Sequence, residues 1–180
     1  MNDLIFLPIE IEIISTTFSV NRPTKLTFQG LWETKELNEW ELNKSEIKYI
    51  ADQLPFKKIT LVKYNTQSSI IPPHVDVQQE WTTAVEEFNH IKKNEPAGYR
   101  VVLIGQNDSL EVFDNREWRQ ARLPRVPFAY VINSTRCMHK VSIESGRQTL
   151  YFRGFLDENK HKELIKTNLN NYGDYAIFSQ

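Results

Sequence analysis

From residue 58 to residue 156 the chain is a succession of short runs rich in Val, Ile, Thr, Phe and Tyr. Each is cut off within a few residues by Gly, Pro, Asn or Asp. β-Branched and aromatic side chains suit a pleated, half-buried surface, and the punctuating residues are the ones that turns require. A chain written this way has few alternatives to a mainly antiparallel β-fold. Residues 58–64 read as a strand with Thr60, Val62 and Tyr64 on one face. Residues 99–104 and 110–113 read as a hairpin about the turn Gly105-Gln106-Asn107-Asp108. Further strands are expected over 118–123 and 128–133, with Pro124 and Pro127 between them, and a last hairpin over 139–143 and 147–156 turns at Glu144-Ser145-Gly146. Upstream, residues 9–18 alternate loosely and suggest one or two more strands.

Two helices complete the pattern. In 45–54, Ser45 can cap the first turn, Ile47, Ile50, Ala51 and Leu54 share one face, and Pro55 stops the run. Residues 158–168 form a terminal helix. Residues 66–71 read as a loop, and the polar stretch 78–96 as a helix or lid. The sum is a mainly β, double-sheet barrel with helical buttressing.

At 180 residues, 40% hydrophobic and 25% charged, the chain fits one ordinary globular domain spanning 1–180. A formal net charge of −1 offers no electrostatic argument for nucleic acid or a membrane surface. The single cysteine, Cys137, excludes an intramolecular disulfide framework and fits a reducing compartment; it reads as a small buried residue. No apolar run is long enough to span a bilayer, and Met1 to Phe6 lacks the basic start of a secretory signal. The expectation is a cytoplasmic protein with no membrane partner.

The chemistry lies in two distant segments. In Pro72-Pro73-His74-Val75-Asp76, a His and a carboxylate two residues apart project from one face of an extended chain. In Cys137-Met138-His139, a second His arrives from another strand. Two imidazoles and one carboxylate are the set that holds Fe(II) on one face and leaves three positions open. Each His taken alone is more often a surface residue. Arg147 lies eight positions beyond His139, across a tight turn, and alternation puts Arg147, Thr149, Tyr151 and Arg153 on one face. Two readings of that face stay open: a buried wall whose arginines must find anions, or the solvated side of an edge strand. His90 and His161 sit in polar contexts and read as solvated, and Trp32, Trp40, Trp81 and Trp118 as core or interface aromatics.

The His74-Val75-Asp76 motif, the distal His139 and the Arg147-Gln148-Thr149 run resemble the Fe(II)- and 2-oxoglutarate-dependent oxygenases. The pattern is nearest to the aspartyl/asparaginyl and prolyl hydroxylase-like branches and covers residues 64–155. The resemblance implies a double-stranded β-helix (jelly-roll or cupin-like) core. It implies His74, Asp76 and His139 as metal ligands and catalytic centre. Arg147 would bridge the distal carboxylate of 2-oxoglutarate, Thr149 would donate a hydroxyl to it, Tyr64 would supply a further co-substrate hydroxyl, and Arg100 would line the pocket. The implied activity is a dioxygenase, a hydroxylase consuming O2 and 2-oxoglutarate and releasing succinate and CO2, with an amino acid, peptide or other small molecule as substrate. Two departures stand out. The carboxylate ligand is present where aspartyl hydroxylases commonly lack it, and the stretch from Asp76 to Arg100 is long. Two rivals are a nucleobase demethylase of the same superfamily, suggested by the Arg147 to Arg153 run, and a non-catalytic β-barrel binding module.

Overall fold

The computed structural model describes residues 3–17, 25–27, 32–36, 45–67, 70–76, 98–134, 137–142 and 146–180. The chain lays down β1 (Leu4–Ile9), β2 (Lys25–Thr27), β3 (Trp32–Glu36), α1 (Ser45–Gln53), β4 (Phe56–Gln67), β5 (Ile71–His74) and β6 (Gly98–Ile104). There follow β7 (Leu110–Phe113), β8 (Trp118–Ala121), β9 (Phe128–Ile132), β10 (His139–Val141), β11 (Arg147–Leu156), α2 (Glu158–Tyr172), a 3-10 turn and β12 (Ile177–Phe178). The strands form two antiparallel sheets. The larger has the order β12-β1-β9-β6-β11-β4-β3-β2, and the smaller has the order β5-β10-β7-β8.

Strand alternation divides the apolar residues between two cores. Ala129 and Val131 of β9, Tyr99, Val101 and Leu103 of β6, and Leu150 and Phe152 of β11 pack against Ile47 and Ile50 of α1 and Leu164, Ile165 and Leu169 of α2. The opposite residues of the same strands, Phe128, Tyr130 and Ile132 of β9 and Val102 of β6, meet Ile71, Leu110, Val112, Ala121 and Val141 of the smaller sheet. This settles the face left open in β11: with Leu150 and Phe152 turned to the helices, Arg147, Thr149, Tyr151 and Arg153 face the space between the sheets. On that face Arg147 and Thr149 are buried and Tyr151 and Arg153 half-buried. At its far end Gly154 lies against β4 so closely that an added Cβ would overlap the Lys58 carbonyl oxygen.

Several expected boundaries move. The first strand is Leu4–Ile9, a continuous apolar run that pairs with both β9 and β12, whereas residues 10–17 form no strand. A strand flanked on both sides and packed on both faces has no reason to alternate. Residues 66 and 67 extend β4 instead of opening a loop. β5 carries Pro72 and Pro73 and still pairs with β10: it is the edge of its sheet among the described residues, and the register is irregular between the paired residues Ile71 and His74, which flank the two prolines. The stretch 78–96, with Trp81 and His90, lies outside the described residues, as does Trp40. Among the described residues no helix is long and apolar enough to cross a membrane.

His161 corrects the expectation of a solvated residue. It lies in α2 at 2% exposure, with the Tyr99 hydroxyl 2.7 Å from its Nδ1. Burial, helped by neighbouring Lys162, pushes its imidazole down to about 4. A histidine kept neutral in the fold binds its proton more readily once unfolded. Its contribution is therefore full above the unfolded value near 6.5 and is lost as pH falls from there through about 4. Urea titrations at pH 7 and pH 4.5 should show a loss of about 2 kcal/mol from this group. His74 acts in the same direction, so a His161→Gln variant isolates the share: its pH slope should be shallower than that of the parent.

Candidate metal centre

The register of the smaller sheet assembles the site. β10 runs antiparallel to β5 with His139 directly opposite His74, so two imidazoles from segments 65 residues apart stand side by side, ring centroids 4.3 Å apart. Past the end of β5 the chain is tied down by the Asp76 backbone N–H, which donates to the Ser134 carbonyl at 2.9 Å. That bond swings the Asp76 carboxylate toward both rings. Its Oδ1 lies 3.6 Å from His74 Nε2 and 3.5 Å from His139 Nε2. One ligand atom from each of the three residues falls within 4.8 Å of the others.

The imidazoles are oriented for coordination. His74 Nδ1 sits 2.7 Å from the Pro72 carbonyl, and His139 Nδ1 sits 3.1 Å from the Cys137 carbonyl. A carbonyl can only accept, which assigns the proton of each ring to Nδ1 and leaves the Nε2 lone pair facing the carboxylate. Burial first, and His139 second, push the His74 imidazole down to about 4 against the pull of the Pro72 carbonyl and Asp76. Its lone pair is thus available at neutral pH, as metal binding demands. Burial works to raise the Asp76 carboxyl, but the Arg100 guanidinium and His139 outweigh it and hold the group well below the usual carboxylate range. His139 is 1% exposed, and its Nε2 has no hydrogen-bond partner among the described residues. A buried nitrogen in that state wants an occupant, and a cation among the three donors satisfies it. Two imidazoles and one carboxylate fit a divalent transition metal of the iron type.

The other expected site residues divide. Arg147 and Thr149 lie between the sheets, 6% and 5% exposed. Arg147 lines a small cavity with Phe6, Val102, Ser109, Leu110 and Tyr130, and its Nε has no hydrogen-bond partner among the described residues. Arg100 reaches the cluster but is engaged: its Nη2 donates to Asp76 Oδ2 at 2.6 Å. Tyr64 is not brought to the site. It pairs with Leu150, packs with the helix-side core, and donates its hydroxyl to Gln148 Oε1 at 2.6 Å. Alternation decides this: Val62 and Tyr64 share the face that packs on the helix-side core, away from the metal cluster. Thr60, grouped with them in the sequence, is exposed at an irregularity of the β4–β11 pairing, where Ile59 packs on that core instead.

The residues that β4 does send inward were missed. Asn65, opposite Thr149, donates from Nδ2 to its Oγ1 at 3.4 Å, and Gln67, opposite Arg147, donates from Nε2 to the Ser142 carbonyl at 3.1 Å. Both are buried. Their signal in the sequence is the polar pair Asn65 and Gln67 in phase with Lys63 and out of phase with Val62, which reads equally well as the start of a loop.

Fold and site together define a two-sheet antiparallel β-protein with a two-histidine, one-carboxylate cluster at the end of the smaller sheet. No family model matches the chain, and no curated protein matches it. Among solved structures it is similar to a protein from Burkholderia pseudomallei described as an oxidoreductase of the 2OG-Fe(II) oxygenase family. The identity is 13%, the match covers 76% of this chain and 75% of that one, and the TM-score is 0.45.

Proposed function

We propose that residues 1–180 form one catalytic domain, an Fe(II)- and 2-oxoglutarate-dependent dioxygenase. It hydroxylates an amino acid, peptide or other small substrate in the cytoplasm, with release of succinate and CO2. The observation that carries the reading is the convergence of His74, Asp76 and His139 beside an inward-facing strand that presents Thr149 and then Arg147. Iron(II) held by the three donors would supply the activation of O2, coupled to oxidative decarboxylation of the 2-oxo acid.

The remaining work falls to the chain's own residues. Along the inner face of β11, Tyr151 lies opposite Arg100, which touches Asp76, and Thr149 lies opposite Val102. Successive inner positions are about 7 Å apart along a strand. A short dicarboxylate with one end at the triad therefore extends toward Thr149 and Arg147. Arg147 supplies a planar fork that matches a carboxylate, in a pocket where a buried guanidinium needs an anion. Thr149 and Asn65 add neutral donors beside it. Phe6, Val102 and Leu110 keep that end of the pocket apolar, which strengthens the charge pairing. The pairing of β5-β10-β7-β8 against β9-β6-β11-β4 supports a double-stranded β-helix.

The test separates co-substrate from metal. Anaerobic calorimetry should show 2-oxoglutarate binding to the Mn(II)-loaded protein. Arg147→Ala should weaken it by about 2–3 kcal/mol, the value of a hydrogen-bonded charge pair, with Mn(II) affinity unchanged. Equal 2-oxoglutarate affinity in parent and variant would remove the co-substrate assignment.

A further inference from the structure

Arg100 is held more firmly than a pocket-lining arginine needs to be. It sits in the middle of β6, with Tyr130 of β9 on one side of it and Tyr151 of β11 on the other, all three in register. Its guanidinium carbon lies 5.1 Å from the centre of the Tyr151 ring, and it hydrogen-bonds Tyr130. The residue is 8% exposed. A guanidinium stacked on one ring and bonded to another has few rotamers left, so its remaining donors point in a fixed direction. That direction is Asp76 Oδ2, at 2.6 Å. The other oxygen of the same carboxylate, Oδ1, is the one aimed at both histidine Nε2 atoms.

We infer that Arg100 is a positioning residue: it holds Asp76 Oδ2 so that the carboxylate meets a metal through Oδ1 alone. The inference rests on the metal-centre reading above. A free carboxylate is able to chelate through both oxygens and would then occupy one more coordination position. With Oδ2 already accepting a short charge-assisted bond, only Oδ1 is free to ligate, and three positions stay open for co-substrate and oxygen. Partners that orient metal ligands are worth 10–100-fold (about) in metal affinity elsewhere. Charge alone acts the other way, since a guanidinium repels a divalent cation. The sign of the effect on affinity therefore discriminates positioning from simple electrostatics.

The experiment uses the full chain with Mn(II) as the probe, read by calorimetry and by a crystal structure of the Mn(II) form. Arg100→Met should weaken Mn(II) binding by about 10–100-fold. Arg100→Gln, which keeps a donor but no charge, should recover part of the loss. Unchanged or tighter binding in Arg100→Met would overturn the inference. The unmodified protein gives an answer even if neither variant folds: its Mn(II) structure should show Asp76 ligating through Oδ1 with Arg100 on Oδ2. A two-oxygen ligand, or a released Arg100, would contradict it. Failure of the parent protein to bind Mn(II) at all would instead count against the metal-centre reading.

Discussion

Replacing His139 with alanine is expected to remove the metal-dependent part of the protein's stability. An ion that binds only the folded state stabilises it by about 2.7 kcal/mol at a concentration one hundred times its dissociation constant. His139 supplies one of the three donors, and its Nε2 is buried with no hydrogen-bond partner among the described residues. Without it, His74 and Asp76 are two ligands on one short segment, a weak site. Thermal melts with and without Mn(II) read the difference directly. The parent should melt several degrees higher with the metal, and His139→Ala should melt at the same temperature either way. Comparing each protein with itself cancels the packing loss that truncating a buried ring also brings. A variant that retained the metal shift would place the ion elsewhere.

The second large effect is in the framework. Phe152→Ala is expected to cost about 3–5 kcal/mol, the usual range for emptying a buried aromatic position. Phe152 is fully buried on the helix side of β11, opposite Val62 of β4 and Tyr99 of β6. Its neighbours in that layer include Ile47, Ile50 and Leu150, none of which can swing in to fill a ring-sized gap without leaving its own rotamer. The same strand carries Arg147, Thr149 and Tyr151 on its other face. Loss of packing behind it should therefore loosen the co-substrate wall as well. Urea unfolding checks the figure, and a loss below about 1 kcal/mol would mean that β11 is not packed as described.

Much of this was legible in the sequence because strand signals and turn signals agree from residue 98 onward. Strands β6, β7, β10 and β11 lie close to where alternation and the Gly-containing turns put them, but the expected hairpins do not form. β6 and β11 pair in the larger sheet and β7 and β10 in the smaller, so the chain passes from one sheet to the other at each of these turns. The set His74, Asp76 and His139 was legible only as what the family resemblance implied, with Arg147 and Thr149 following the distal histidine; the two-residue spacing alone reads equally well as surface residues. Three things were not legible, each for a physical reason. β1 hid as an apolar run without alternation, because it is enclosed on both faces. Tyr64 was placed at the site instead of Asn65, because period-two patterning says which residues share a face but not which face looks where. The Arg100–Asp76 pair joins residues 24 positions apart through the packing of the two sheets, which no local pattern encodes. His161 misled in the same way: a polar-looking helix position became buried because Tyr99 offered it a partner.

The central claim is that one iron site and one dicarboxylate pocket share the space between the sheets. Anaerobic crystals of the protein with Fe(II) and 2-oxoglutarate test it most directly, with the iron located by its anomalous scattering. The expected map has a single iron peak bonded to His74 Nε2, Asp76 Oδ1 and His139 Nε2, and a 2-oxoglutarate whose distal carboxylate lies on Arg147 and Thr149. Iron bound away from these three residues, or Arg147 turned out of the pocket with the dicarboxylate held elsewhere, would contradict it.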